Sequence, residues 1–507
     1  MPTLTLRAAA CAALLASLLA GCADPSGIAP RETPRPLTTL APGAAIEAAA
    51  RDAAWPATQW WQALGDPQLD ALMTRALADS PTLSVANARV REAEALAENA
   101  TASRGPTLNA DVALNREHWP ESTYYGGGTL AGTNTFNNTA RLTLSYPLDF
   151  FGRQRNAAES ALDAARAAAL EARATQLSLS INLAQTYARL ALQYALRDVA
   201  SDSLADRRQV LALAQRRFAA GIGTQLEVSQ AEAPLPQAEL TVARADQSIA
   251  LLRNQIAALL GAGPGAGDAI ARPRLLERSG PDLPSALPAE LAGHRPDIVA
   301  ARWRIEAQLH DVKSARAAFY PNINLVATGG GMAVSDSFWT FTRLSSFGFT
   351  AGPAISLPIF DSGRLRAQLG TASARADVAV GQYNDAVVRA LREIADQTVT
   401  WRALDRQRAI AERALATAQR SHDIAQTAFR RGLTDYLNVL NAEEQLFTQR
   451  QAIAELRVSR VSAWIGLAGA LGGGLATPAD LPEAAHDARG DGTPSAAAVT
   501  AAAASTR

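Results

Sequence analysis

The strongest constraint on this chain is that its sequence is written twice. Pro81 to Pro106 and Pro296 to Pro321 have the same spacing, and Thr107-Leu108-Asn109 follows the first pair as Asn322-Ile323-Asn324 follows the second. Further on, Tyr146-Pro147-Leu148 through Gly152-Arg153 matches Leu357-Pro358-Ile359 through Gly363-Arg364, offset by 211. At that offset Phe218 and Gly221 align with Phe429 and Gly432. Leu226, Val228, Ala231 and Glu232 align with Leu437, Val439, Ala442 and Glu443. One register held across Gly, Pro and Phe marks a tandem duplication. Repeat 1 covers 66–262 and repeat 2 covers 291–473, with a Gly/Pro-rich linker at 263–290. Residues 474–507 lack apolar periodicity and read as a disordered tail.

Within each repeat the hydrophobic period changes. Leu108, Ala110, Val112 and Leu114 alternate with polar residues, and so do Ala140, Leu142, Leu144 and Tyr146 on the return. Repeat 2 offers Ile323, Leu325 and Ala327, then Phe347, Phe349, Ala351 and Ile355. The spacing predicts strands near 107–116, 139–146, 322–329 and 347–357. One apolar and one polar face is the pattern of strands that cross a bilayer around a wet lumen. The Gly-rich pieces at 126–128 and 329–331 read as hairpin loops. Residues 106–151 and 319–360 hold 15 of the chain's 28 aromatics. Tyr146, Phe150, Phe151, Phe319, Tyr320 and Phe360 fall at one end of the strands, and Trp119, Tyr124, Tyr125, Phe338, Trp339 and Phe341 at the other. Two girdles at two membrane interfaces have this distribution. Four strands cannot close a barrel, since the smallest have about eight, and open edges in hydrocarbon are prohibitive. Three copies pooling twelve strands is the simplest closure.

From Gly152 to Gly221, and from Gly363 to Gly432, there is no proline and almost no glycine. A continuous helix over either stretch would be about 100 Å long. Shorter helices at 82–104 and 225–260, laid end to end, nearly match that height. The fold class expected is therefore an α+β membrane protein with an internal tandem repeat. A trimeric twelve-stranded transmembrane β-barrel, four strands per chain, would be continuous with a long α-helical barrel.

The first residues read as an address. Arg7 precedes an apolar run from Ala8 to Ala20, too short for a membrane span of about 20 residues. Leu19-Ala20-Gly21-Cys22 resembles a bacterial lipobox, so 1–21 is a lipoprotein signal peptide and Cys22 the lipidated residue of the segment 22–65. Ala23 rather than Asp at the next position favours the outer membrane, entered by a lipid anchor and extending into the periplasm. The 48 Lys+Arg balance the 48 Asp+Glu, which leaves no electrostatic footprint for nucleic acid. Both cysteines lie in the first 22 residues, and the five histidines are scattered. No metal motif, P-loop or nucleophile elbow is present, so neither catalysis nor a cofactor is expected.

These features resemble the outer-membrane efflux factor (TolC) superfamily in its NodT-type lipoprotein branch, over nearly the whole mature chain. The most specific element is an aromatic and Gly followed by Leu-x-Val and Ala-Glu, here Phe218 to Glu232 and Phe429 to Glu443. The resemblance implies a homotrimeric duct of a tripartite, RND-type efflux system. It would be passive and set in outer-membrane lipid, partnered by a periplasmic adaptor and an inner-membrane pump. It also implies that the turns Gly221-Ile222-Gly223-Thr224 and Gly432-Leu433-Thr434-Asp435 dock the adaptor. At the pore entrance the chain departs from the family. Asn438 and Asn441 stand where relatives carry acidic rings. Phe429 replaces a tyrosine whose hydroxyl bonds an acidic residue matching Glu227. Two substitutes are open: Arg430 or Arg431 pairs with Glu227, or Phe429 and Leu433 seal the constriction. A protein-secretion duct shares the fold and is the main alternative, with a periplasmic adaptor lipoprotein less favoured.

Overall fold

The computed structural model describes residues 25–36, 39–51, 54–121, 129–277, 283–284 and 293–474. The signal peptide, Cys22, Tyr124, Tyr125, Gly126–Gly128 and the tail after Gly474 lie outside the described residues. Repeat 1 runs α1 (Pro67–Asp79), α2 (Pro81–Ala102), β1 (Thr107–His118), β2 (Asn134–Leu148), α3 (Arg153–Ala219), α4 (Gln225–Glu232) and α5 (Leu235–Leu259). Repeat 2 runs α6 (Pro296–Ala317), β3 (Asn322–Ser335), β4 (Phe347–Ser356), α7 (Arg364–Arg430) and α8 (Tyr436–Ala470). Helices α3 and α7 are each 67 residues long. They begin 211 residues apart, as the sequence register requires, whereas α2 and α6 begin 215 apart. The difference is absorbed in the hairpins between them.

The four strands form one antiparallel sheet in the order β1-β2-β3-β4. Its register puts the apolar residues on one face. Leu108 pairs with Leu144 and Ala110 with Leu142. Leu144 then pairs with Ala327 and Tyr146 with Leu325, and Ala327 and Gly329 pair with Ala351 and Phe349. Leu108, Val112, Leu142, Phe349 and Ile355 are all exposed there, which makes that face the one a bilayer would cover. Among the described residues no helix is long and apolar enough to cross a membrane.

Four differences from the sequence expectation have physical causes. Gly329, Gly330 and Gly331 are not in a loop but inside β3. A Cβ on Gly330 would sit 2.0 Å from the Ala140 carbonyl oxygen on β2, and one on Gly331 would sit 1.9 Å from that of Phe341. The run therefore serves close backbone approach rather than a turn. The helix anticipated over 225–260 is interrupted between Glu232 and Leu235. Pro234 and Pro236 remove two N–H donors within one turn there. Gln445 and Phe447 hold the equivalent places in repeat 2, where α8 runs unbroken for 35 residues. Phe319 is buried among Val312, Leu365 and Leu369 instead of standing in the interfacial girdle.

The described linker residues 263–277, finally, form a strap fastened to both repeats. Ala271 N–H donates to Gln68 Oε1 (2.8 Å), Arg274 N–H to Asp66 Oδ2 (2.7 Å) and Leu276 N–H to the Leu64 carbonyl (2.9 Å). Asp66 also caps α1 and accepts the buried Tyr187 hydroxyl at 2.8 Å. Burial, followed by that carboxylate, pushes the Tyr187 hydroxyl well above its ordinary pKa. Glu277 then meets Arg408 at 2.6 Å and Arg460 at 3.2 Å. Trp60, Trp61, Leu64 and Met73 complete this equatorial core with Leu183 and Tyr187.

Helix packing defines a single layer. Beside the sheet the order is α2-α3-α6-α7, and toward the far end it is α5-α3-α8-α7. One edge of the layer is thus α2 with α4 and α5, and the other is α7. Exposed apolar side chains line both edges: Val85, Leu96, Leu226, Leu240 and Leu251 on the first, and Val378, Val388, Val399, Ile410 and Ile424 on α7. On α7, Val388, Val399, Ile410 and Ile424 recur every 11–14 residues, three or four helical turns, and so share one side of the helix. On the other edge Val85 and Leu96 on α2, and Leu240 and Leu251 on α5, are each 11 residues apart.

Candidate functional site at the helix tips

Each repeat reverses direction far from the sheet through one turn chemistry. The chain passes Gly221 at φ 74° and Gly432 at φ 73°, a left-handed conformation that a Cβ disfavours. The N–H groups of Ile222 and Gly223 both donate to the Arg217 carbonyl (3.1 Å), and Leu433 N–H donates to that of Ala428 (2.9 Å). The next helix is then capped by a side chain. Thr224 Oγ1 accepts from Glu227 N–H, and Asp435 Oδ1 accepts from Asn438 N–H, both at 3.2 Å. Such caps are worth about 1 kcal/mol each. The duplicated sequence thereby builds two like turns with Ile222 (68% exposed) and Leu433 (76% exposed) at their apices. No described residue covers these two side chains.

Behind the apices the repeats diverge. Phe218 is exposed, while its counterpart Phe429 is 1% exposed. Phe429 packs with Val210, Ala214, Val228, Tyr436 and Val439, its ring 6.0 Å from that of Tyr436. The Arg217 guanidinium lies over the same ring at 5.2 Å and donates to the Phe429 carbonyl at 3.4 Å. A side chain so enclosed within one protomer cannot seal a lumen, so the expected Phe429 plug is not formed; only Leu433 of that pair is presented. Among the described residues neither Arg430 nor Arg431 makes the expected pair with Glu227 either. Arg430 donates to Gln426 on its own helix, Arg431 is exposed, and Glu227 Oε2 has no hydrogen-bond partner among the described residues. Asn438 Nδ2 is spent on Thr434 Oγ1 and Asp435 Oδ1 at 2.9 Å each, and Asn441 is exposed.

The polar contact that joins the tips is one the sequence did not announce. Arg207 Nε donates to Glu443 Oε1 at 2.8 Å, and Ser203 Oγ donates to the same oxygen at 3.0 Å. Arg207 Nη1 also donates to the Pro234 carbonyl at 3.2 Å, at the interruption between α4 and α5. Arg207 and Glu443 side chains are 12% and 4% exposed. One guanidinium therefore ties α3 to α8 and to the α4–α5 break. Burial, and then the Glu443 carboxylate, pushes the neighbouring Tyr436 hydroxyl up to about 12. Glu443 stood in the repeat alignment, but its partner Arg207 aligns with Ala418, so the duplication carries no trace of the pair.

Among the described residues no cluster of His, Cys, Asp and Glu is placed to hold a metal. What the site offers is a narrow, two-turned end with an apolar apex, a buried ionic clasp behind it and a long walled layer leading to a membrane sheet.

The comparisons with known proteins agree with this architecture. The family described as "Outer membrane efflux protein" matches twice, over residues 72–262 and 287–473, one match to each repeat. The chain is 50% identical over 357 residues to the fusaric acid resistance protein FusA of Burkholderia cepacia, spanning 70% of this chain and 67% of that one. It is 32% identical over 436 residues to the pyoverdine export outer membrane protein OpmQ of Pseudomonas aeruginosa, spanning 84% and 90%. Among solved structures it resembles the outer membrane protein VceC of Vibrio cholerae, with TM-score 0.77 and 35% identity over 83% of this chain and all of that one. The channel-forming protein CusC matches with TM-score 0.75 and 27% identity over 88% and 99%. With two matched repeats, bilayer-faced strands and a helical layer that extends far beyond them, the chain belongs to the outer membrane efflux protein family and is an outer-membrane efflux channel.

Proposed function

We propose that the protein works as a homotrimer, the passive exit duct of a tripartite pump. A periplasmic adaptor docks on its helix tips, and an inner-membrane transporter supplies the energy. The observation that carries the trimer is the pair of complementary edges. Among the described residues nothing pairs with the outer sides of strands β1 and β4, and directly below them both helical edges bear exposed apolar side chains. Joining the α2/α5 edge of one copy to the α7 edge of the next pairs β1 with β4 and buries both sets in the same movement. This is a head-to-tail contact that must close into a ring. Twelve strands from three copies satisfy the membrane's demand for no free edge.

The lipid anchor fits the same arrangement. Ile28 packs against the cluster of Val312, Phe319, Leu365 and Leu369 beside the strand ends. Arg31 and Glu32 N–H groups bond Asp377 Oδ1, and Arg35 N–H bonds Asn384 Oδ1, so the segment descends along α7. A lipid on Cys22, six residues before Ile28, would enter the membrane that holds the strands. The likeness to a fusaric acid resistance protein supports small organic acids as cargo.

The adaptor is read to bind the two apolar apices. Ile222→Asp with Leu433→Asp is expected to abolish adaptor co-purification and export in cells, while the assembled channel stays intact in detergent. Burying a carboxylate in an apolar contact costs several kcal/mol. Undiminished adaptor capture by the double variant would refute the docking role.

A further inference from the structure

Three unpaired cations converge where the sheet meets the helices. Arg155, Lys313 and Arg316 line a cavity of ≈ 600 Å³ between the start of α3 and the end of α6. All three are exposed, and among the described residues none forms an ion pair. In a chain whose charges balance, this is a local excess, and Lys313 is the only lysine of the sequence. Glu159 is the single opposing charge in the lining. The floor is polar: His310 Nδ1 lies 3.1 Å from Asn156 Oδ1, and its Nε2 lies 3.9 Å from the buried Asp163 Oδ2. Phe151 and Tyr320 form one wall, stacked at 4.8 Å with 11° between their planes.

The position selects the ligand. Four residues separate Leu148 of β2 from α3, and four separate α6 from Asn322 of β3. Cations and rings therefore stand level with the start of the apolar sheet face, at the periplasmic boundary of the membrane. Aromatic rings prefer that level, and basic residues there attract anionic headgroups. Helices α3 and α6 are the inner pair of the layer, each flanked on both sides by helices of the same chain, so closing the ring at its edges leaves the cavity open. Phosphate oxygens accept charge-assisted bonds from guanidinium and ammonium groups.

We propose that this cavity is a binding site for the phosphate headgroup of an anionic phospholipid of the periplasmic leaflet, held by Arg155, Lys313 and Arg316 against the Phe151–Tyr320 stack. The proposal rests on the outer-membrane placement of the sheet. Its test uses the full-length detergent-purified protein, delipidated and then offered phosphatidylglycerol or phosphatidylcholine, with retained lipid counted by native mass spectrometry. The intact protein is expected to retain phosphatidylglycerol at least roughly tenfold better than phosphatidylcholine. Lys313→Gln with Arg316→Gln should erase that preference, Lys313→Arg should keep it, and Arg392→Gln on an exposed helix face should leave it unchanged. Equal retention of both lipids, or a preference that survives the double substitution, would overturn the proposal. So would displacement of the lipid by millimolar inorganic phosphate or benzoate, which would make the cavity a site for small anions. The assembled mass recorded in the same spectra separates this failure from a failure of the membrane assembly itself.

Discussion

Replacing Arg207 with alanine should destabilise the helix tips by about 3–5 kcal/mol, the typical cost of leaving a buried charge without its partner. Glu443 is 4% exposed, and after the substitution only Ser203 would still donate to Oε1. The Pro234 carbonyl would also lose its outside donor at the point where α4 and α5 are already disconnected. The expected readout is hydrogen exchange: protection should fall across 203–232 and 425–446 and stay unchanged in the equatorial core around Tyr187. Loosened tips should also raise the resting conductance of the channel in a planar bilayer. Arg207→Met combined with Glu443→Leu should restore most of the protection, because an apolar pair of similar volume removes the stranded charge along with the bond. If Arg207→Ala exchanges like the parent at the tips, the clasp does not hold them.

A second large effect is expected at Gly330, in the sheet. Strands β2 and β3 belong to different repeats, so their pairing is the joint that makes one sheet of two hairpins. The Cβ of any other residue at 330 would meet the Ala140 carbonyl oxygen at 2.0 Å and the Arg141 Cα at 2.7 Å. Neither atom is the free end of a side chain, so the strands themselves must part. Gly330→Val is expected to abolish assembled channel in the outer membrane, leaving chain that heat and detergent separate at once. Gly348→Val, on β4 with nothing within 4 Å of its Cβ, should assemble at close to the parental level. Normal assembly of Gly330→Val would show that the joint tolerates a wider spacing.

The contrast between those two glycines marks where sequence reasoning reached and where it stopped. Alternation at Leu108, Ala110 and Val112, and at Leu142, Leu144 and Tyr146, placed the strands and their faces, because a period of two has one physical meaning on a sheet. The 67-residue helices were legible because neither stretch contains a proline and only Gly370 and Gly381 weaken the second. Three successive glycines carry two meanings, a turn or a close approach, and only the neighbouring strand decides between them. At the tips, turn chemistry was local and readable: Gly221, Thr224, Gly432 and Asp435 stand where their caps and φ angles need them. The clasp was not readable, since Arg207 and Glu443 are 236 residues apart and an isolated arginine in an arginine-rich chain carries no signal. The same limit hid the burial of Phe429. Its repeat partner Phe218 is exposed, and only the packing of α7 on α8 and of Arg217 across the tip separates their fates.

Ring closure is the claim on which the duct, the barrel and the use of both edges depend, and the native mass of the detergent-extracted mature protein tests it most directly. Three chains are expected, each heavier than its sequence from Cys22 onward by the acyl chains on that cysteine. A stable single chain would leave β1 and β4 unpaired in hydrocarbon and both apolar helical edges bare, and would contradict the trans-envelope duct.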